Sequence, residues 1–141
     1  MIVTYQPDRI SEVWYFVEPF VKKAVDNGCT LSLKDIYHKL CEAKLQLWTW
    51  QTDAVKSVMI TAIVVQEVKY CLLMTMSGTG LKEWVRELPK VEDWARSIGC
   101  ESMRINGRKG WARVLGYTVT GRDSLGFYVM ERQLWAVTPD K

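Results

Sequence analysis

From Leu81 the apolar residues Leu81, Trp84, Val85, Leu88, Val91, Trp94, Ala95 and Ile98 recur at spacings of three and four. That is the period of one helical face, and Gly99 supplies the stop. Just before them, Tyr70 to Met74 form a continuous apolar run bounded by Ser77-Gly78-Thr79-Gly80. The pattern predicts a buried strand, a glycine turn and an amphipathic helix in immediate succession. A chain entering a helix through small residues leaves first-turn amides unpartnered at the positive end of the helix dipole, where an anion is stabilised. A plain strand-to-helix turn uses the same residues, so this motif alone does not decide between the two.

The remaining pattern completes an ordered series. Ile2, Val3 and Tyr5 predict a short strand ended by Pro7, with Asp8 placed to cap the first helix. Ile10, Val13, Trp14, Val17, Phe20, Val21, Ala24 and Val25 predict that helix, closed by Asn27-Gly28, with a kink near Phe16 to Pro19 or a division into two helices. Ser32, with Asp35 three residues on, starts a second helix carrying Leu33, Ile36, Tyr37, Leu40 and Cys41. Leu45 to Trp50 alternates as a strand, Val55 to Val65 reads as a central strand, and Gln66 to Lys69 reverses the chain. Beyond Gly99, Glu101 to Ile105 predicts a strand and Gly107 to Leu115 a short helix ended by Gly116. Tyr117 to Thr120 is then a strand, Gly121 to Ser124 a turn and Phe127 to Leu134 a final strand. The order is β, α, α, β, β, β, α, β, α, β, β, without repeats or linkers, which predicts one α/β (α+β) domain over residues 1–141.

Composition narrows the class without choosing a function. Hydrophobic and charged fractions of 48% and 25% are those of a globular chain, so disorder is not indicated. Cys29, Cys41, Cys71 and Cys100 lack C-x-x-C spacing and read as reduced packing residues, which points to a cytoplasmic protein. The start of the chain has no secretion pattern, and the longest apolar run, Val58 to Val65, is too short to span a bilayer. A net charge of +3 is too mild to indicate nucleic acid. No His/Cys/Asp/Glu cluster has metal-ligand spacing, so no metal is expected. Trp14, Trp84 and Trp94 fall on helical core stripes, whereas Trp48 and Trp50 share one strand face where an exposed interface anchor is expected.

With its glycine turn between the fourth strand and third helix, the element order resembles the GNAT superfamily of acyl-CoA-dependent N-acetyltransferases. That family's pyrophosphate loop reads R/Q-x-x-G-x-G/A, and Thr75-Met76-Ser77-Gly78-Thr79-Gly80 keeps both glycines without the leading Arg or Gln. The fourth helix leading into Gly116-Tyr117 is a second point of likeness. The segment from Gly99 to Leu115, with the run Gly107-Arg-Lys-Gly-Trp-Ala-Arg113 inside it, is also similar to small GNAT-like proteins of tailed bacteriophages. The resemblance implies a mixed, mainly antiparallel sheet of about seven strands flanked by about four helices. It also implies a pantetheine cleft between Leu72 to Met76 and Met103 to Ile105.

The site residues come from that resemblance. Acetyl-CoA would be held by Leu73, Met74, Thr75, Ser77, Gly78, Thr79, Gly80, Leu81 and Lys82, with the amides of Gly78 to Lys82 on the pyrophosphate. An amine attacks a thioester only when neutral, so a base must take its proton, and an acid can protonate the leaving thiolate. Glu101 and Glu67 are the carboxylates nearest the implied cleft; Glu67 lies in a tight reversal and reads first as a solvated turn residue, and Glu101, at the start of a strand, reads also as an exposed one. The family's acidic Tyr falls near Trp111 or Ala112 when counted back from Gly116. Neither donates a proton as Tyr does, and the candidate substitute, Tyr117, lies later in the chain than the family's pattern places the acid. His38 lies off its helix's apolar stripe and reads as a surface residue. Cys71 and Cys100 lack a histidine partner in the pattern.

Arg104, Arg108, Lys109 and Arg113 form the basic concentration, and Trp111 among them completes the candidate partner-binding set. A protein contact or a solvated face suits it better than nucleic acid. Two functions are compatible with these residues. One is an acetyl-CoA-dependent N-acetyltransferase acting on an amine acceptor. The other is an inactive GNAT-fold structural or assembly protein of a phage virion, working by contact with phage proteins or as an oligomer. No membrane partner is expected.

Overall fold

Residues 1–27 and 31–135 are described by a computed structural model of the protein. They run β1 (Ile2–Thr4), a 3-10 turn (Pro7–Arg9), α1 (Ile10–Asp26), α2 (Leu33–Cys41), β2 (Leu45–Gln51), β3 (Val55–Val65) and β4 (Lys69–Gly78). Then come α3 (Leu81–Ser97), β5 (Ser102–Gly107), α4 (Gly110–Leu115), β6 (Thr118–Arg122) and β7 (Tyr128–Gln133). The strands form one sheet in the order β1-β2-β3-β4-β5-β7-β6. Its β1/β2, β2/β3, β5/β7 and β6/β7 ladders are antiparallel. β4 and β5 are parallel, in register from Tyr70↔Ser102 to Leu72↔Arg104, because the α3 crossover returns the chain in the same direction. This is the mixed, mainly antiparallel α+β arrangement that the resemblance implies, built from the element order that the pattern predicts. Gly28 and Cys29 lie outside the described residues, as does the segment from 136 onward.

The chain divides into two compact units, one of residues 1–62 with 73–87 and the other of 63–72 with 88–135. In the first, Val17, Val21, Ile36 and Leu40 of the helices pack with Leu45, Leu47, Val58 and Ile60 of β2 and β3. The period-two alternation of β2 sends Trp48 and Trp50 to the opposite face. They are buried there, at 5% and 9% exposure, so neither is the surface anchor expected of them. α1 runs unbroken through Pro19. Proline removes one backbone donor from the helix, but the fully buried Val17 and Val21 on either side hold it in the core. Asp8 caps nothing: Gln6 and Arg9 occupy the two N-cap positions, without side-chain caps.

Ser32 does cap α2, its Oγ accepting the Asp35 amide at 3.1 Å. Ser32→Ala is expected to destabilise the protein by about 1 kcal/mol, read as a shifted urea midpoint at unchanged slope.

Two boundaries in the second unit differ from the pattern. Gly107 closes β5 and α4 begins only at Gly110. β6 runs on to Arg122 through a register shift between Val119 and Gly121, so Gly121 serves a bulge and the turn moves to 123–127. Asp123 fixes that turn by accepting the amides of Leu125 and Phe127 through Oδ1, at 2.9 and 3.0 Å. Gly116 caps α4 at φ +72°, the left-handed conformation that glycine adopts without penalty.

Candidate functional site

β4 reaches Gly78 rather than stopping near Met74, so the first glycine of the turn ends a strand. Gly78 has φ +127°, and a Cβ built on it would lie 2.3 Å from the Lys56 carbonyl oxygen and 2.5 Å from Ser57 Cα. Gly80 has φ +79°, and its Cβ would lie 2.8 Å from Trp50 Cζ3. Both glycines are therefore demanded by β2 and β3, with or without a ligand. The Thr79 amide donates to the Lys56 carbonyl at 2.8 Å, so of the amides assigned to a pyrophosphate this one is already in use. The Trp84 amide donates to the Gly80 carbonyl at 2.9 Å as the first bond of α3. The amides of Leu81, Lys82 and Glu83 precede it and have no acceptor within the helix.

An acyl-CoA pyrophosphate fits this turn in two respects. The three first-turn amides sit at the positive end of a 17-residue helix, and Lys82 is exposed beside them. Two buried hydroxyls of the same region, Ser57 Oγ and Ser77 Oγ, lack hydrogen-bond partners. Glu83, also in the first turn, opposes an anion. Leu73 is buried, and Met74 packs against the α1–α2 core rather than standing free. Thr75 is half-buried.

In the second unit the structure assembles a group that the sequence pattern does not single out. Glu92 of α3 is 2% exposed. Its Oε2 accepts the Tyr117 hydroxyl at 3.0 Å and lies 3.8 Å from an Arg132 nitrogen. Burial, reinforced by the Glu92 carboxyl, pushes the Tyr117 hydroxyl far above the usual tyrosine range. The signal is present in the spacing, since Glu92 stands four residues after Leu88 and three before Ala95, on the apolar stripe. Glu67 is exposed in the β3–β4 reversal and Glu101 is exposed before β5, its amide donating to the Lys69 carbonyl at 2.7 Å. His38 is exposed on α2. Burial raises the Cys100 thiol, partly offset by Lys69.

The basic residues separate into two sets. Arg104 is committed: it bonds Glu131 at 3.0 Å and its guanidinium stacks 3.9 Å from the Tyr70 ring. Burial raises the Glu131 carboxyl, but bonds from Thr120 and Arg104 outweigh this and hold it below its ordinary value. Arg108, Lys109 and Arg113 are exposed and Trp111 is half-buried. Among the described residues, no group of three or more His, Cys, Asp or Glu could hold a metal. No described helix is long and apolar enough to cross a membrane.

No protein-family model and no curated protein matches the chain by sequence. Its structure does resemble solved acetyltransferases. A putative acetyltransferase from Salmonella typhimurium, solved with acetyl-CoA, aligns with a TM-score of 0.69 at 15% identity, over 99% of this chain and 97% of that one. An N-acetyltransferase from Staphylococcus aureus Mu50 aligns at 0.67 and 13% identity, over 95% and 97%. Aminoglycoside 6'-acetyltransferase type Ii aligns at 0.65 and 11% identity, over 98% and 99%. The chain has the GNAT fold. At such identities the likeness establishes architecture, and function has to be argued from the site.

Proposed function

We propose that the protein is an acyl-CoA-dependent N-acetyltransferase that holds the cofactor at the turn from Ser77 to Lys82. The observation that supports this reading most is the run of first-turn α3 amides, with Lys82 beside them, after a glycine turn in a GNAT fold. Bound there, acetyl-CoA would supply a thioester carbonyl for attack by an amine. Leu81, Lys82 and Glu83 would donate amides to the pyrophosphate, and Lys82 would add a cation. Glu101 or Glu67 would take the amine's proton through water. Tyr117 serves this reading as a support for Glu92: a hydroxyl far above its usual pKa is a poor acid at neutral pH. The thiolate would then take its proton from solvent.

Calorimetric titration with acetyl-CoA and with desulfo-CoA tests this. Micromolar binding, near −8 kcal/mol, is expected for both, weakened about tenfold by Lys82→Glu. Silent titrations of folded protein with an unshifted melting temperature would overturn the reading.

A second reading, a GNAT-fold contact protein of a phage virion, is supported by the exposed cations Arg108, Lys109 and Arg113 in and just before α4 and by the phage-like segment from Gly99 to Leu115.

A further inference from the structure

We infer that β6 and the cations beside it form a docking edge for an acidic polypeptide segment, which adds to the sheet as a strand antiparallel or parallel to β6. The inference goes beyond both readings above and depends on neither. An enzyme would use such an edge to hold a protein substrate, and a contact protein would use it to assemble.

β6 is the last strand of the sheet, and all five of its residues are exposed. Among the described residues it pairs with β7 alone. Its outer side therefore carries backbone donors and acceptors that a further strand can use. Val119 on the strand, and Val114, Leu125 and Phe127 on the segments flanking it, are exposed apolar residues.

Charge selects the occupant. Between Gly107 and Phe127 stand four cations, Arg108, Lys109, Arg113 and Arg122, against the single carboxylate of Asp123. Their excess of three equals the +3 of the whole chain, so the rest of the protein is balanced and this segment carries the net charge. None of the four cations is in an ion pair among the described residues. Lys109 and Arg122 converge on one ring, with Lys109 Nζ 5.9 Å and the Arg122 guanidinium 4.4 Å from the Tyr128 centroid. Arg122 also donates to the Tyr128 hydroxyl at 2.5 Å, and this bond and charge hold that hydroxyl below the usual tyrosine range. Asp123 offers these cations little: Asn106 donates to its Oδ2, and the Leu125 and Phe127 amides to its Oδ1.

Beside α4 a cavity of about 710 Å³ is lined by Lys109, Gly110, Ala112, Arg113 and Val114. Two cations among small apolar side chains suit a glutamate or aspartate with its aliphatic stem. A second copy of this chain is disfavoured as the occupant, because two such edges would bring like charges together.

The test uses the full chain and a fluorescent peptide of alternating glutamate and valine. We expect saturable, salt-weakened binding that protects the amides of Thr118 to Arg122 from hydrogen exchange in the unaltered protein. The paired change Lys109→Glu with Arg122→Glu should weaken binding about tenfold or more at an unchanged melting temperature. A peptide of equal charge interrupted by prolines, which cannot add a strand, should also bind about tenfold more weakly. Equal binding of the interrupted peptide, or no protection of β6, overturns strand addition. Tighter binding of an oligonucleotide at the same residues, or a dimer that already covers β6 and excludes the peptide, overturns the choice of occupant.

Discussion

Gly78→Ala is expected to destabilise the protein by about 3–5 kcal/mol, enough to leave much of it unfolded at physiological temperature. Two independent costs combine. The backbone at φ +127° is a conformation that a Cβ penalises, and the added carbon would meet the Lys56 carbonyl and Ser57 Cα, which are backbone atoms unable to rotate away. Gly110→Ala is the matched control, because a Cβ there meets nothing within 4 Å. It should change stability by less than about 1 kcal/mol. Urea unfolding of both variants decides the matter, and a near-native Gly78→Ala would show that β3 does not approach the turn this closely. The result also governs how the cofactor site is tested. A bulky residue at Gly78 damages the first unit whether or not a pyrophosphate binds, so loss of binding in that variant says nothing about the ligand. Lys82→Glu, on an exposed side chain, avoids this.

Removing Glu92 should have the second large effect. Glu92→Ala strands the buried Tyr117 hydroxyl, which donates to it at 3.0 Å, and takes the carboxylate away from the exposed Arg132. The expected loss is about 3 kcal/mol. Tyr117→Phe alone should cost about 2 kcal/mol, because the carboxyl then loses its buried donor. Combining Tyr117→Phe with Glu92→Leu should cost at least about 1 kcal/mol less than the sum of the single changes, since neither polar group remains to be satisfied. Strict additivity would mean that the two groups do not interact. The pair also predicts a pH dependence. The Tyr117 hydroxyl is raised, first by burial and then by Glu92, so the folded state holds its proton more tightly than the unfolded state. Its contribution is complete below the unfolded tyrosine value near pH 10. It declines as pH rises above that, with a limiting slope of about 1.4 kcal/mol per pH unit. Tyr117→Phe should remove this part of the alkaline slope in urea titrations between about pH 8 and 11.

Much of the architecture is legible in the sequence because it rests on periodicity. The stripe from Leu81 to Ile98, the alternation from Leu45 to Trp50 and the apolar run from Val55 to Val65 each repeat often enough for one geometry to fit, and those elements form nearly where expected. Boundaries set by single glycines are less legible. Gly107 ends a strand instead of starting a helix, and Gly121 makes a bulge instead of a turn, because glycine is tolerated in all of these conformations. Trp48 and Trp50 depart from expectation for a related reason: alternation identifies a shared strand face but not what covers it.

The site divides in the same way. Sequence determined the order of elements, the glycine turn feeding α3 and the concentration of cations from Arg108 to Arg113, since each is a property of neighbouring residues. Tertiary structure decided what those features mean. It showed that Gly78 and Gly80 are required by β3 and Trp50, that Arg104 is spent on Glu131, and that Glu92, Tyr117 and Arg132 meet. These depend on residues far apart in the chain, such as Lys56 with Thr79 or Glu92 with Tyr117. A local pattern fixes the direction and period of each element, whereas the partner of a buried polar atom is fixed only when the elements pack.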